Sequence, residues 1–558
     1  MQSEDGVAVV PYAGSGIYRA AAKLFAVRPP TLWRALAMPS GPAEIRAPFR
    51  TAKARPCKWM SRTALGSSAW RTWLSGLLML LSAVAGGRAE PIRVHPENPH
   101  YYLFRGRPTV LITSAEHYGA VINQAFDYNS YLDALKSYGL NYTRIYPAAF
   151  IEPEGTFHPD NTLAPKSVDL IQPWARSQTP GYRSGGNRFD LDRWDPEYFR
   201  RLKDFIAQAD ARGIVVEVCF FNAQNKGSWP MSPLYWKNNI QGEGRTDHNG
   251  VQTLKHPDVL RRQEEFVRRI VQEVNAFDNV ILEICDEPPV YGTPMALAGP
   301  WIGHLVEVVK QTEIGLPKKH LLGQQMMGAI GGPGDFTSHP DVSVIVAQYI
   351  WQTPDEQIGG MKALDNVYDR NKPIDLNETG YYPLSSWYEG DKAGDVRVEA
   401  WEFMVGGGSS FNNLNGVFTA RDPAGKAAEN APVLQTMQSL KQFIEGFDFL
   451  KMRPDRSFVV SGMPAGTYYQ GTSERGEQYA LYHHHSKLKP YVYTVVPGAY
   501  EERLILELPA GTYQSDWVNP SNGAVLGTET FTHPGGQRPV STPKHAVDMA
   551  LRIKRQHS

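Results

Sequence analysis

Between residues 109 and 445 the chain alternates two hydrophobic patterns. One is a short apolar run closed by a breaker, as in Val280-Ile-Leu-Glu-Ile-Cys285 ahead of Asp286, Glu287, Pro288 and Pro289. Such a run suits a strand covered on both faces, and two prolines cannot continue a hydrogen-bonded ladder. The other is a longer stretch with apolar residues at helical spacing, as at Phe199, Leu202, Phe205 and Ile206. The runs predict eight strands, at 109–113, 141–146, 214–221, 280–285, 321–326, 343–350, 373–376 and 407–411. The amphipathic stretches predict helices at 128–137, 196–212, 258–277, 300–311, 355–370, 396–404 and 432–445. This alternation predicts a parallel α/β sheet. Eight strands with interleaved helices and enlarged loops fit a (β/α)8 TIM barrel over residues 90–452, with an open doubly wound sheet as the other arrangement.

Beyond residue 453 the period shortens. Alternating runs at 457–460, 478–483, 491–496, 503–508, 512–517 and 546–553 are separated by Gly, Pro and Asn turns. They predict a small antiparallel β-sandwich domain over 453–558. Its most characteristic stretch, 508–523, is expected to pack against the barrel. The beginning of the chain reads differently again. Residues 1–59 are rich in Ala, Arg and Pro without a sustained period, and are expected to be an extension foreign to the folded protein. Residues 60–89 run from basic (Arg62, Arg71) through apolar (Trp73 to Ala85) to small residues around Gly87 and Ala89, the succession of a secretory signal. The apolar run is shorter than the ~20 residues that span a bilayer. The expected mature protein starts near Glu90, is secreted or periplasmic, and keeps no membrane contact after cleavage.

Composition narrows the function. Basic and acidic residues balance at 57 each, so no footprint for nucleic acid is expected. Three cysteines (Cys57, Cys219, Cys285) make no disulfide framework. Neither a phosphate-binding Walker loop nor a Gly-x-Gly-x-x-Gly fingerprint occurs, and no cofactor is expected. Of the histidines, only His117 lies at a predicted strand end, so a metal-dependent barrel hydrolase is disfavoured. In the run His483-His-His485 alternate residues face opposite ways, so at most two converge. That run is expected to be a solvated strand end, with no metal.

Two carboxylates stand out. Glu287 closes the fourth predicted strand and Glu378, in Asp375-Leu-Asn-Glu378, closes the seventh. The carboxyl ends of parallel strands are where α/β folds place chemistry. An isolated acidic pair such as Asp286-Glu287 can merely cap a loop, but the design is repeated on a second strand. Two carboxyl groups suit glycosidic cleavage, in which one protonates the leaving oxygen and the other attacks the anomeric carbon. Glu283 lies four residues before Glu287, on the same face one layer deeper, and is expected in a buried ion pair.

On these residues the chain, over roughly 90–450, resembles the large clan of (β/α)8 glycoside hydrolases that includes the cellulase-like family 5. There the acid/base glutamate follows Asn in an Asn-Glu-Pro motif; this chain has Asp286-Glu287-Pro288. The resemblance implies Glu287 as acid/base and Glu378 as nucleophile. It implies Arg144 beside the nucleophile and Tyr349 hydrogen-bonded to it. Asp286 stands where the clan's Asn donates to the sugar 2-hydroxyl. An ionised Asp cannot donate, so it accepts from that hydroxyl or is itself protonated. His117, Asn222, Trp351 and Asn412 are placed as sugar contacts, with Glu116, Asn413, Trp174, Trp229 and Trp236 as further candidates. The implied protein is a secreted retaining glycoside hydrolase of a poly- or oligosaccharide. A non-catalytic carbohydrate-binding protein on the same barrel is the other reading.

Overall fold

The computed structural model describes residues 90–557 apart from 289, 328–329, 350–358, 384–389 and 490–491. The expected extension and signal, residues 1–89, lie outside the described residues, as does Trp351. No described helix is long and apolar enough to cross a membrane.

Eight parallel strands form one sheet: β1 (Leu111–Ala115), β2 (Tyr142–Ile145), β3 (Val215–Asn222), β4 (Val280–Asp286), β5 (Leu321–Met327), β6 (Val344–Tyr349), β7 (Ile374–Tyr382) and β8 (Ser410–Asn415). They follow the order β1-β8-β7-β6-β5-β4-β3-β2. At the seam between β1 and β2 the Asn141 side chain replaces part of a ladder. It donates to the Val110 carbonyl at 2.8 Å and accepts from the Ile112 amide at 3.1 Å. The sheet is therefore a near-closed barrel rather than an open doubly wound one.

Among the described residues seven helices surround it: α1 (Tyr128–Ser137), α2 (Pro196–Ala211), α3 (Pro257–Val274), α4 (Met295–Ile314), α5 (Gly359–Val367), α6 (Lys392–Val405) and α7 (Asn430–Glu445). Their starts are written locally. Asp127 accepts from the amides of Asn129 and Ser130 ahead of α1, and Asp195 caps α2 with Pro196 at its first position. In α3 the buried stripe Val259, Phe266, Val267, Ile270, Val271 and Val274 faces the sheet.

The floor of the barrel is closed by a three-stranded sheet, Arg93–Val94, Tyr102–Phe104 and Arg107–Thr109. Ile92, Tyr102 and Phe104 pack on Leu111, Tyr142, Val215, Ile281, Leu321 and Val344, all at or beside the first residue of a barrel strand. One expected loop is partly structured. Residues 147–195 include the hairpin Trp174–Pro180/Asn187–Trp194. Trp174, only 1% exposed, stacks on Trp194 and contacts Phe266, so it holds the hairpin to the barrel wall and does not face a sugar.

The C-terminal region has a seven-stranded antiparallel sheet that includes β9 (Thr467–Glu474), β10 (Gln478–Lys489), β13 (Gly511–Val518), β14 (Val525–His533) and β16 (Asp548–Arg555). A three-stranded sheet contains β12 (Arg503–Leu508) and β15 (Gly536–Ser541), and β11 (Val492–Val495) pairs with β10. Phe458, Leu504, Leu506, Leu508, Tyr513, Met549, Leu551 and Ile553 fill a separate core. This region docks on α6 and α7. Arg397 pairs with Asp548 at 2.8 Å, the Asp395 carboxylate accepts from the Val495 amide, and the Pro520 carbonyl accepts from the Thr436 hydroxyl at 3.0 Å. The expectation of a solvated histidine run is corrected. His483 and His484 are fully buried and His485 nearly so, because β10 is central in its sheet.

Candidate active site

The inward residues of β2, β3, β4 and β7 build a polar column along the barrel axis. At its centre is Arg144 on β2, whose side chain is 0% exposed. Its guanidinium lies 2.6 Å from Glu283, 3.4 Å from Glu217, 3.1 Å from Asp286 and 3.1 Å from Glu378. The rings of Tyr118 and Tyr146 flank it at 5.0 and 5.3 Å. Below, Tyr142 donates to Glu217 and to Asp375, and the Asn377 amide donates to Glu217 at 3.0 Å. One cation thus faces four carboxyl groups, with a fifth beneath. Burial pushes Glu217 and Asp375 above the usual carboxylate range and Glu283 to about 8, with Arg144 opposing in each case. Burial thus favours the neutral forms of these carboxyls in the folded barrel.

Exposure sorts the carboxyls. Glu217, Glu283, Asp286 and Asp375 are sealed at 0–1%. Glu287 and Glu378 are only half-buried, and the Glu378 side chain keeps 17% of its surface. Glu287 sits just beyond β4 with φ of 48°, a left-handed conformation uncommon for a residue with a side chain. Its amide donates to the Gln325 side chain, and the Gln325 amide in turn donates to Gln348. This chain of glutamines on β5 and β6 anchors the turn that aims Glu287. Glu378 ends the inward-facing part of β7. Burial, then the negative charges of Asp286 and Glu287, push its carboxyl up, while Arg144 and a hydrogen bond from Tyr118 pull it down. The two glutamates are thus close enough to sense each other across the mouth.

Loops after β1 and β2 supply a further wall. The His117 Nδ1 is 2.8 Å from the Tyr381 hydroxyl and its Nε2 is 3.6 Å from Glu152. Burial lowers His117 to about 3 and raises Glu152 to about 8, with Glu287 adding to the latter. Between those values both groups are uncharged, so their contact is neutral. Glu152 also accepts from Asn161 at 2.6 Å. Sequence reasoning missed Glu152, since it lies in an irregular loop with no strand end to flag it.

The structure places the other residues expected as sugar contacts among neighbours of their own. Asp286 is fully buried, accepting from Tyr146 and pairing with Arg144, while its Oδ1 makes no hydrogen bond. Asn412, also sealed, accepts from the Ala115 amide and donates to Tyr118 and the Asn377 carbonyl, bracing β1 against β7 and β8. Glu116 accepts from the Gly119 and Ala120 amides and from Thr162, so it orders the loop after β1. Asn413 is buried on Ser114 and the Gly380 carbonyl, and Trp229 is buried with its indole N–H on the Thr246 carbonyl. Trp236 is partly exposed under Arg245. Asn222 donates to the Tyr146 hydroxyl at 3.1 Å and leaves its own carbonyl oxygen unpaired below the mouth. His117 is 4% exposed. Tyr349 ends β6, which places its backbone on the same rim; its side chain is outside the described set.

No protein-family model matches the sequence, and no curated protein matches it. Solved structures do resemble the fold. A provisionally assigned glycoside hydrolase of Bacteroides vulgatus superposes with a TM-score of 0.57 at 14% identity, over 85% of this chain and 84% of its own. A second structure, described only as a glycoside hydrolase, gives 0.55 at 13%, over 84% and 97%. A glycoside hydrolase family 5 protein of Bacteroides vulgatus gives 0.55 at 13%, over 83% and 93%. In its fold this chain is a (β/α)8 barrel followed by a β-sandwich, similar to those proteins along most of its length.

Proposed function

We propose that the protein is a glycoside hydrolase that cleaves O-glycosidic bonds of a poly- or oligosaccharide with retention, Glu287 acting as acid/base and Glu378 as nucleophile. The observation that carries this is the exposure contrast in the axial column: of its carboxyls, Glu287 and Glu378 alone reach solvent, and they do so from facing strand ends. Arg144 holds one Glu378 oxygen at 3.1 Å. Substrate entering the mouth displaces water and sets Glu378 against the anomeric carbon. Protonation of the leaving oxygen by Glu287 then balances the covalent step, and its return as base admits water in the second. The family 5 structure of the same architecture supports the substrate class. The basic, apolar and small-residue succession at 60–89 supports secretion of the mature enzyme.

A panel of chromogenic glycosides, followed by proton NMR of the first-formed sugar, tests the reading. Turnover with a retained anomer is expected. An inverted product defeats the assignment of Glu378, and binding without turnover of any glycoside makes the protein a carbohydrate-binding barrel.

A further inference from the structure

His483, His485, Glu502 and His545, all in the C-terminal region, each offer a ligand atom within 4.8 Å of the others. They come from three segments: His483 and His485 from one face of β10, Glu502 from the approach to β12, and His545 from the approach to β16. Alternate residues of a strand share a face, which brings the first two together. His484, between them, faces the other way, 3.6 Å from Glu402 of α6.

The cluster is built, not incidental. His483 is fully buried and neither ring nitrogen has a hydrogen-bond partner. A buried imidazole always has a proton to give and a lone pair to satisfy, so this one is aimed at something else. The Nε2 of His545 is likewise without a hydrogen bond. Its Nδ1 lies 3.0 Å from the Pro543 carbonyl, the outward contact that fixes the tautomer of a metal-ligating histidine. Glu502 accepts from Thr542 at 3.0 Å, and the His485 ring lies flat on Tyr500, with centroids 3.5 Å apart. His485 Nε2 is 2.8 Å from one Glu502 oxygen and His545 Nε2 is 3.5 Å from the other.

We propose that these four side chains form a structural zinc site that pins the three segments together. Three imidazoles and one carboxylate are a donor set zinc takes tetrahedrally, with bonds of about 2.0–2.2 Å. That geometry needs ligand atoms about 3.3 Å apart, so the side chains contract slightly around the ion. Four protein ligands leave no open position, which makes the site a staple and not a catalytic centre.

The test uses the untagged full chain, stripped with chelator and titrated with zinc, and separately with cobalt(II) as a spectroscopic probe. The wild type is expected to take up one zinc beyond any exposed site, to show the intense visible bands of tetrahedral cobalt, and to melt at higher temperature with zinc. Glu502→Gln and His545→Asn should lose the bands and the thermal shift; His557→Ala, at an exposed histidine, should keep both. Thr542→Val leaves all four ligands and should weaken zinc by about 10–100-fold, which keeps the test valid if the ligand variants fold poorly. A wild type without zinc uptake, or Glu502→Gln and Thr542→Val proteins that bind as tightly as wild type, would overturn the site.

Discussion

The barrel and the sandwich bury ionisable groups in opposite ways. In the barrel one guanidinium, Arg144, serves Glu217, Glu283, Asp286 and Glu378, so carboxyls outnumber the cation and their neutral forms are favoured. In the sandwich three imidazoles gather round one carboxylate, so lone pairs are in excess and a cation fills the gap. The first arrangement keeps groups that gain and lose protons at an open mouth. The second closes over its centre. A cluster left unbalanced where solvent reaches it suits turnover, and one left unbalanced under cover suits rigidity.

The contrast is broken most directly at Glu378. Glu378→Ala should cut turnover by about 10⁴-fold or more, because the two glutamates act as a unit. Glu287→Ala should cost about 10²–10⁴-fold with poor leaving groups, but little with good ones, and azide should restore a retained product. Near-normal rates for Glu378→Ala would move the chemistry elsewhere in the column.

Arg144→Met tests whether the column depends on its single cation. Removing one partner of a fully buried ionic network should destabilise the fold by about 3–5 kcal/mol in urea denaturation, and by less in acid, where the carboxyls are protonated. A loss that does not shrink as the pH falls would show that packing, not charge, is Arg144's contribution.

Glu152 sharpens the comparison through pH. Its folded-state carboxyl is raised to about 8 from an ordinary 4.5. Between these values the folded protein binds the extra proton, so stability falls as pH rises across that window and the penalty is absent below it. Glu152→Gln should therefore gain on wild type between pH 5 and pH 8, by on the order of 3 kcal/mol at the upper end, as measured by urea midpoints. A pH-independent difference would put Glu152 outside this account.

The smallest effect is expected at the joint between the regions. Arg397→Leu removes a charged hydrogen-bonded pair with Asp548 and should cost about 1.5–3 kcal/mol without changing the proposed glycosidase turnover of the folded protein. A change in turnover would couple the sandwich to the mouth.

What was legible in the sequence follows from where periodicity survives. Most barrel strands are short apolar runs and α1 carries its Asp127 cap, so both were found in the sequence, whereas β7 runs six residues past its expected end and β8 lies three to four residues later than expected, because their polar residues break the apolar run. Residues at strand ends followed: Glu283, Glu287 and Glu378 were placed by strand geometry, and Arg144 by its strand end together with the family resemblance. The edge strands β14 and β15 were missed because their residues are largely exposed and polar, leaving no alternation to see. The hairpin at Trp174–Pro180 was hidden by its prolines and glycines. Asp286 and Asn412 were read as sugar contacts because position along a strand says which face a side chain takes; that both are fully buried was not legible there. The histidine run shows the same limit from the other side. Its facing was legible, while its burial depends on β10 being central, which only sheet order reveals.

The sealed floor beneath the column has a consequence for time rather than for energy. Ile92, Tyr102 and Phe104 cover the strand starts, the end of the barrel away from Glu287 and Glu378. Proton exchange of the buried Glu217, Glu283 and Asp375 with solvent is therefore expected to be slow, and slower still with a sugar seated at the other end.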